Sequence, residues 1–258
     1  MFEGPIIDGR IKNIASGFRA VSVYVDATSA GEGRFDPRLL GEACDCALAD
    51  GPAWAEAHLA SWSDAYVVFG AKPNRTPCSA QALRKRVLKD GTLSTINPIV
   101  DLYNAISLKY AVPVGGENFD AYVGRPHLTI ADGSETFDTM MNGEAVNDPP
   151  LPGEVIWRDD IGVTCRRWNW RQGTRTRLKT LTGRMWFVLE ALETMPDDGL
   201  AEATDAMVGG LNALMPGCKI ASQELPSPDE VSGRASGSMA ARGIRRDRSD
   251  RDYQGLRE

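Results

Sequence analysis

The chain has 258 residues with 29 basic and 35 acidic side chains, a net charge of −6, and 42% hydrophobic and 25% charged content. That length buries a sizeable core in one large domain or two small ones, and the composition is that of a globular protein. It excludes a protein held to nucleic acid by bulk positive charge, and no apolar run reaches the roughly 20 residues of a membrane span.

Met1-Phe2-Glu3-Gly4-Pro5 lacks the basic start and apolar stretch of a signal peptide, so a cytoplasmic location is expected. From Ile6 to Ser29 the text alternates, and Arg19 to Val25 is β-branched with a period near two, which predicts a strand. Asp36 to Leu48 and Ala53 to Tyr66 predict helices, Pro52 opening the second. Val67-Val68-Phe69 reads as a short buried strand or as the apolar end of that helix. Asn74 to Pro77 is a turn, with Thr76 expected to cap a helix running to about Leu88, Leu83 and Val87 inward and Lys85 and Lys89 outward.

Ile96 to Asp120 is the most informative block. Asn97 can cap a helix, and Pro98 suits its first position, where the missing N–H would go unpaired anyway. Ile99, Leu102, Tyr103 and Ile106 form an apolar stripe, while Asp101 and Asn104 share a neighbouring face. The helix is expected to end before Pro113, in a turn in which Gly115-Gly116 permit unusual backbone angles and present Glu117. Beyond it, His127 to Ala131 predicts a strand followed by an Asp132-Gly133 hairpin signal, and Val155-Ile156-Trp157 with Ile161 to Cys165 predicts a second hairpin. Met185 to Leu192 and Leu200 to Leu214 read as two closing helices, or as a strand entering a helix. Strands mixed irregularly with helices point to an α+β fold. From Glu224 the mixed-charge sequence has little to bury, so residues 1–223 are expected to form the domain and 224–258 a disordered, solubilising tail.

The five cysteines are scattered apart from Cys44-Asp45-Cys46, and His58 and His127 lie far apart, so no metal site and no cofactor is expected. Basic residues gather in two stretches, from Lys72 through Arg75 and Arg84-Lys85-Arg86 to Lys89, and from Arg158 through Arg166, Arg167, Arg171 and Arg175 to Arg184. Such stretches give either a local phosphate-binding face on an acidic body or merely solvated and ion-paired surface.

Asp101-Leu102-Tyr103-Asn104 with Pro113 to Asp120 resembles the B3/B4 domain of the phenylalanyl-tRNA synthetase β chain in its free-standing form. There the matching stretch reads Asp-x-Thr-Asn-Tyr, a short run, then Pro-Leu-His-Ala-Phe-Asp. The likeness extends to Gly70-Ala71-Lys72-Pro73, Arg84-Lys85-Arg86, Ser107-Leu108-Lys109-Tyr110 and Cys165 to Gln172, and covers roughly Trp54 to Leu192. It implies a single α+β domain with a bent mixed sheet flanked by helices, and an editing-type hydrolysis of a mischarged aminoacyl-tRNA ester. By the same resemblance Asn104 is a candidate catalytic residue, and Glu117, presented by the glycine segment, is the second. Asp101, Gly115, Gly116, Asn118, Arg171, Gln172 and Thr174 are candidates for substrate binding, and Arg84, Lys85, Arg86, Lys109, Arg166 and Arg167 for tRNA. Two departures matter. Gly115 or Gly116 stands where the synthetase has a pocket histidine, and no glutamate occurs near Gln172-Gly173-Thr174, so tyrosine is not the expected substrate. Two other readings stay open: a non-catalytic module binding tRNA or aminoacyl-tRNA, and a small-molecule enzyme or amino-acid binder that has lost tRNA.

Overall fold

The computed structural model describes residues 3–179 and 183–228. Strand β1 (Ile6–Ile7) leads through a 3-10 turn to β2 (Arg19–Asp26), where the period-two stretch lies. Helices α1 (Arg38–Leu48), α2 (Ala55–Val68), α3 (Ser79–Asp90) and α4 (Pro98–Tyr110) follow. Then come β3 (Val114–Asn118), β4 (His127–Ile130), β5 (Asp138–Met141), β6 (Glu144–Asn147), β7 (Val155–Arg158), β8 (Val163–Arg166) and β9 (Arg171–Gln172). The chain closes with β10 (Arg184–Ala191), α5 (Asp197–Leu214) and β11 (Lys219–Glu224). Strands and helices mix irregularly, as α+β requires. The strands form an antiparallel sheet in the order β11-β2-β10-β3, a mixed sheet β1-β4-β7-β8-β9, and the separate β5-β6 hairpin.

Strand β10 explains the layering. Its period of two sends Met185, Phe187, Leu189 and Ala191 to one face, where they pack with Val23 and Val25 of β2 against α4 and α5. Trp186 and Val188 face the other way, into a second core with Leu128, Val155 and Trp157 of the mixed sheet and Leu59, Trp62 and Tyr66 of α2. Both faces are apolar because both are covered, which is why Met185 to Leu192 reads as a continuous apolar run. That run is a strand.

Several expectations change in detail. Val67 and Val68 end α2 on the exposed surface, not in a buried strand. The cap position before α3 belongs to Cys78, while the Thr76 hydroxyl donates to the Lys72 carbonyl at 3.2 Å. Gly115 and Gly116 form no turn; they lie within β3, and the chain reverses earlier, at Ala111 with φ 50°. Gly116 is needed for space: a Cβ there would stand 2.8 Å from two ring carbons of Phe187. Asp132-Gly133 does turn, but β4 pairs with β7 across the intervening β5-β6 hairpin. The boundary expected at Glu224 falls inside the fold, since Glu224 pairs with Val21 and Leu225 is buried. The rest of the expected tail, from residue 229 on, lies outside the described residues. Among the described residues no helix is long and apolar enough to cross a membrane, and no group of three His, Cys, Asp or Glu side chains could hold a metal.

Candidate functional site

Helix α4 is aimed by its cap. The Asn97 side-chain oxygen accepts from the Ile99 and Val100 amides at 3.1 and 3.0 Å, and Pro98 takes the first helical position. Asp101 is spent on the same end: it is buried and its Oδ1 accepts from the Ile96 amide at 2.8 Å. At the other end the Ala111 carbonyl accepts from Nδ1 of the buried His58 at 2.8 Å. The sharp turn at Ala111 returns the chain beside α4 as β3, so Asn104 and the segment Gly115-Gly116-Glu117 come to one place.

They line a cavity of about 240 Å³. Trp186, Val188 and Glu190 of β10 contribute one wall, Trp157 and Cys165 of the mixed sheet another, and Trp168, Asn169, Trp170 and Gln172 close it with Ser79, Leu83 and Arg86 of α3. A larger depression of about 570 Å³ beside α5 and β11 is lined by Arg19, Asp197, Asp205 and Glu224 but by no buried titratable group. The smaller cavity is the better chemical site.

Two buried carboxylates face it. Glu117 accepts a short hydrogen bond from the Tyr122 hydroxyl, which lies 3.2 Å from Thr164 Oγ1. Burial pushes Glu117 up to about 7, while the polar groups of Tyr122, Thr176, Gln172 and Thr164 pull it down. Glu190 accepts from the indole N–H groups of Trp157 and Trp168 at 3.0 and 2.9 Å and from the Asn169 amide at 2.9 Å. Burial likewise pushes Glu190 up to about 7. Burial and the nearby Glu117 charge raise the Tyr103 hydroxyl to about 12. The Cys165 thiol is raised well above its usual range, mainly by burial, and is no thiolate nucleophile. Gln172 Nε2 donates to the Gly116 carbonyl at 2.8 Å and ties β9 to β3. Ser79 Oγ, on the cavity wall, is buried with no hydrogen-bond partner among the described residues.

Asn104, Glu117, Gly115, Gly116 and Gln172 therefore meet in one cavity, and Arg86 joins them from the basic set. Asn118 instead caps the 3-10 turn that follows it, accepting from the Asp120 amide at 3.1 Å. Thr174 donates to the Asp138 carbonyl at 3.3 Å, away from the cavity. Arg166 is buried between Glu154 and Asp148, at 2.9 and 2.6 Å, and has no free edge for RNA. Arg84 is tied to Asp50, whose carbonyl accepts at 2.8 Å. Lys85 is exposed on α3, and exposed Lys109 lies 5.6 Å from the Tyr110 ring centroid. Arg167 and Arg171 stack on Trp170. Glu190 is the residue that sequence reasoning missed. Its signal was there: a lone carboxylate inside the apolar run Met185 to Leu192 has nowhere to go but the interior.

Residues 61–196, more than half of the chain, match the B3/4 domain family. No curated protein matches the sequence. Among solved structures the chain is similar to an N-terminal fragment of the phenylalanyl-tRNA synthetase β-subunit from Pyrococcus horikoshii, with 13% identity and a TM-score of 0.46. The alignment covers 86% of this chain and 54% of the fragment, so the chain spans about half the fragment's length. On the family match, which runs from the second half of α2 through the whole of β10, the chain is a member of the B3/4 domain family.

Proposed function

We propose that the cavity takes the aminoacyl end of a mischarged tRNA and hydrolyses its ester. The observation that carries this reading is the convergence of Asn104 and Glu117 with two glycine peptide units in an aromatic-walled cavity. An aminoacyl ester is already activated, so a positioned water and a polar contact for the developing oxyanion supply most of the effect. Glu117, raised to about 7, takes a proton from water as its oxygen attacks the acyl carbon. The Asn104 amide is the donor for the oxyanion. Collapse breaks the bond to the ribose oxygen, which leaves with the proton. Glu190 adds negative potential to the wall, which favours a ligand bearing an α-ammonium.

One observation favours a second reading. Arg84, Arg166, Arg175 and Arg184 are all paired within the chain, with Asp50, Glu154, Asp159 and Asp120, which thins the positive surface. In that reading the cavity takes a free amino acid or amine and no RNA. Single-turnover hydrolysis of charged tRNA by the native protein and by Asn104→Ala, beside calorimetric titration with free amino acids, separates the two. Ester hydrolysis that falls at least tenfold in Asn104→Ala supports the first. Tight binding of a free amino acid with no turnover of any charged tRNA supports the second.

A further inference from the structure

The two basic stretches of the sequence come together beside the cavity. Of the later stretch, Arg166, Arg175 and Arg184 are engaged with carboxylates. Arg167 and Arg171 instead hold their guanidinium carbons 4.4 and 4.6 Å from the centroid of the Trp170 ring. A guanidinium stacked on an indole keeps its N–H edge free for a phosphate oxygen, and the stacking fixes its plane in advance. Arg171 has no ion pair among the described residues. Arg167 has one long contact, 3.6 Å from Nε to Glu154, whose carboxylate is already held by Arg166.

The stack joins two hollows. Trp170 lines the cavity with Arg86, whereas Arg167 lines an adjoining depression of about 370 Å³ with Lys72 and Arg75, both exposed. The backbone that sets this up is unusual: Arg167 and Trp168 are consecutive non-glycine residues at φ 46° and 64°. Their conformation is held by the Trp168 amide on the Val155 carbonyl at 2.6 Å and by the Tyr66 hydroxyl on the Arg167 carbonyl at 2.6 Å. That turn puts Trp168 into the core and leaves Trp170 at the rim, flanked by two cations.

We propose that Trp170, Arg171, Arg167, Lys72 and Arg75 form a track for the single-stranded 3′ end of an RNA. The terminal nucleotide enters beside Trp170, and successive backbone phosphates leave over Arg171 and Arg167 to Lys72 and Arg75. A single phosphate needs one clamp; cations spread over two adjoining hollows, two of them ordered on one indole, suit the backbone of a strand. This rests on the reading that the cavity takes the aminoacyl end of an RNA.

The test is binding of a fluorescent single-stranded RNA of several nucleotides, of adenosine monophosphate, of inorganic phosphate and of duplex RNA, across a salt series. Native protein is compared with Arg171→Gln, Trp170→Leu, the double variant Lys72→Gln/Arg75→Gln, and Arg38→Gln on α1 as a control for the single charge removed in Arg171→Gln. The single strand binds best, and each phosphate contact contributes about 0.7 to the log–log salt slope. Each charge removed from the track lowers the slope by about that amount and weakens binding several-fold. Arg38→Gln matches the native protein. Equal affinity in all variants overturns the track, as does adenosine monophosphate, inorganic phosphate or duplex RNA binding as tightly as the strand. Ester hydrolysis is assayed in parallel. RNA binding through these residues without hydrolysis would leave the track standing and remove the deacylase reading. Hydrolysis with KM and salt slope unchanged in the track variants would do the reverse.

Discussion

Glu117 on β3 and Glu190 on β10 point from neighbouring strands onto one face of one sheet. Glu117 stands opposite Trp186, and Glu190 follows four residues along the same strand, roughly 13 Å at strand spacing. Both are buried, both line the cavity, neither forms an ion pair with a described residue, and the main groups that favour their charge are hydrogen-bond donors. A buried charge without a counter-ion is held only at a cost in stability, so it marks a place where a proton or a ligand is expected to settle.

Glu190 is the structural member of the pair. Glu190→Ala leaves two indole N–H groups and the Asn169 amide without their acceptor, at about 1–3 kcal/mol for each unsatisfied group. Urea denaturation should show a loss of several kcal/mol. Glu190→Gln keeps an oxygen acceptor and no charge. The folded carboxyl, near 7, lies above its ordinary 4.5, so its contribution to stability is complete below about pH 4.5 and is lost as pH rises through 7. Relative to the native protein, Glu190→Gln should therefore gain stability on going from pH 5 to pH 8.

His58 carries the opposite sign. It is buried and neutral, donating from Nδ1 to the Ala111 carbonyl while Nε2 accepts from the Trp62 indole at 3.1 Å and the Leu192 amide at 3.0 Å. Burial lowers it from 6.5 to about 4, so its stabilisation is present above 6.5 and lost as pH falls through 4. His58→Ala should cost about 2–4 kcal/mol at pH 7, since it orphans buried partners on α2, at Leu192 just after β10, and at the α4 turn. The deficit against the native protein should shrink as pH falls from 6.5 to 4 in a series of denaturation curves.

Gly116→Ala tests the closeness of β3 to its neighbours. The added methyl meets the Phe187 ring at 2.8 Å and Leu178 Cδ1 at 3.1 Å, so overpacking of about 1–3 kcal/mol is expected. Thermal unfolding should register it. The displaced strand carries Glu117, so ligand binding in the cavity should weaken as well. An unchanged melting temperature would show that this contact relaxes freely.

The capped helix α4 was legible in the sequence because Asn97-Pro98 and the apolar stripe carry local signals that act within one turn. The meeting of Asn104 with Glu117 was legible through the family motif. What the sequence hid was tertiary. Gly115-Gly116 looked like a turn because glycine permits one, whereas the fold uses Gly116 for its lack of volume against Phe187. Arg166 looked like an RNA contact because its charge is visible in the text, while the Glu154 and Asp148 that neutralise it lie more than ten residues upstream. Glu190 was overlooked because its three donors come from β7 and from the Trp168-Asn169 turn, none of them local to β10.

Whether the cavity hydrolyses an aminoacyl ester is decided by a deacylation screen with a panel of correctly and incorrectly charged tRNAs, run with native protein and with Glu117→Gln between pH 6 and 8. Fast release of one amino acid is expected, at a rate that rises through about pH 7 as Glu117 ionises. In Glu117→Gln that release falls by roughly a hundredfold or more, on the scale of a lost general base, with the fold intact. No release above buffer from any charged tRNA, or undiminished turnover in Glu117→Gln, would contradict it.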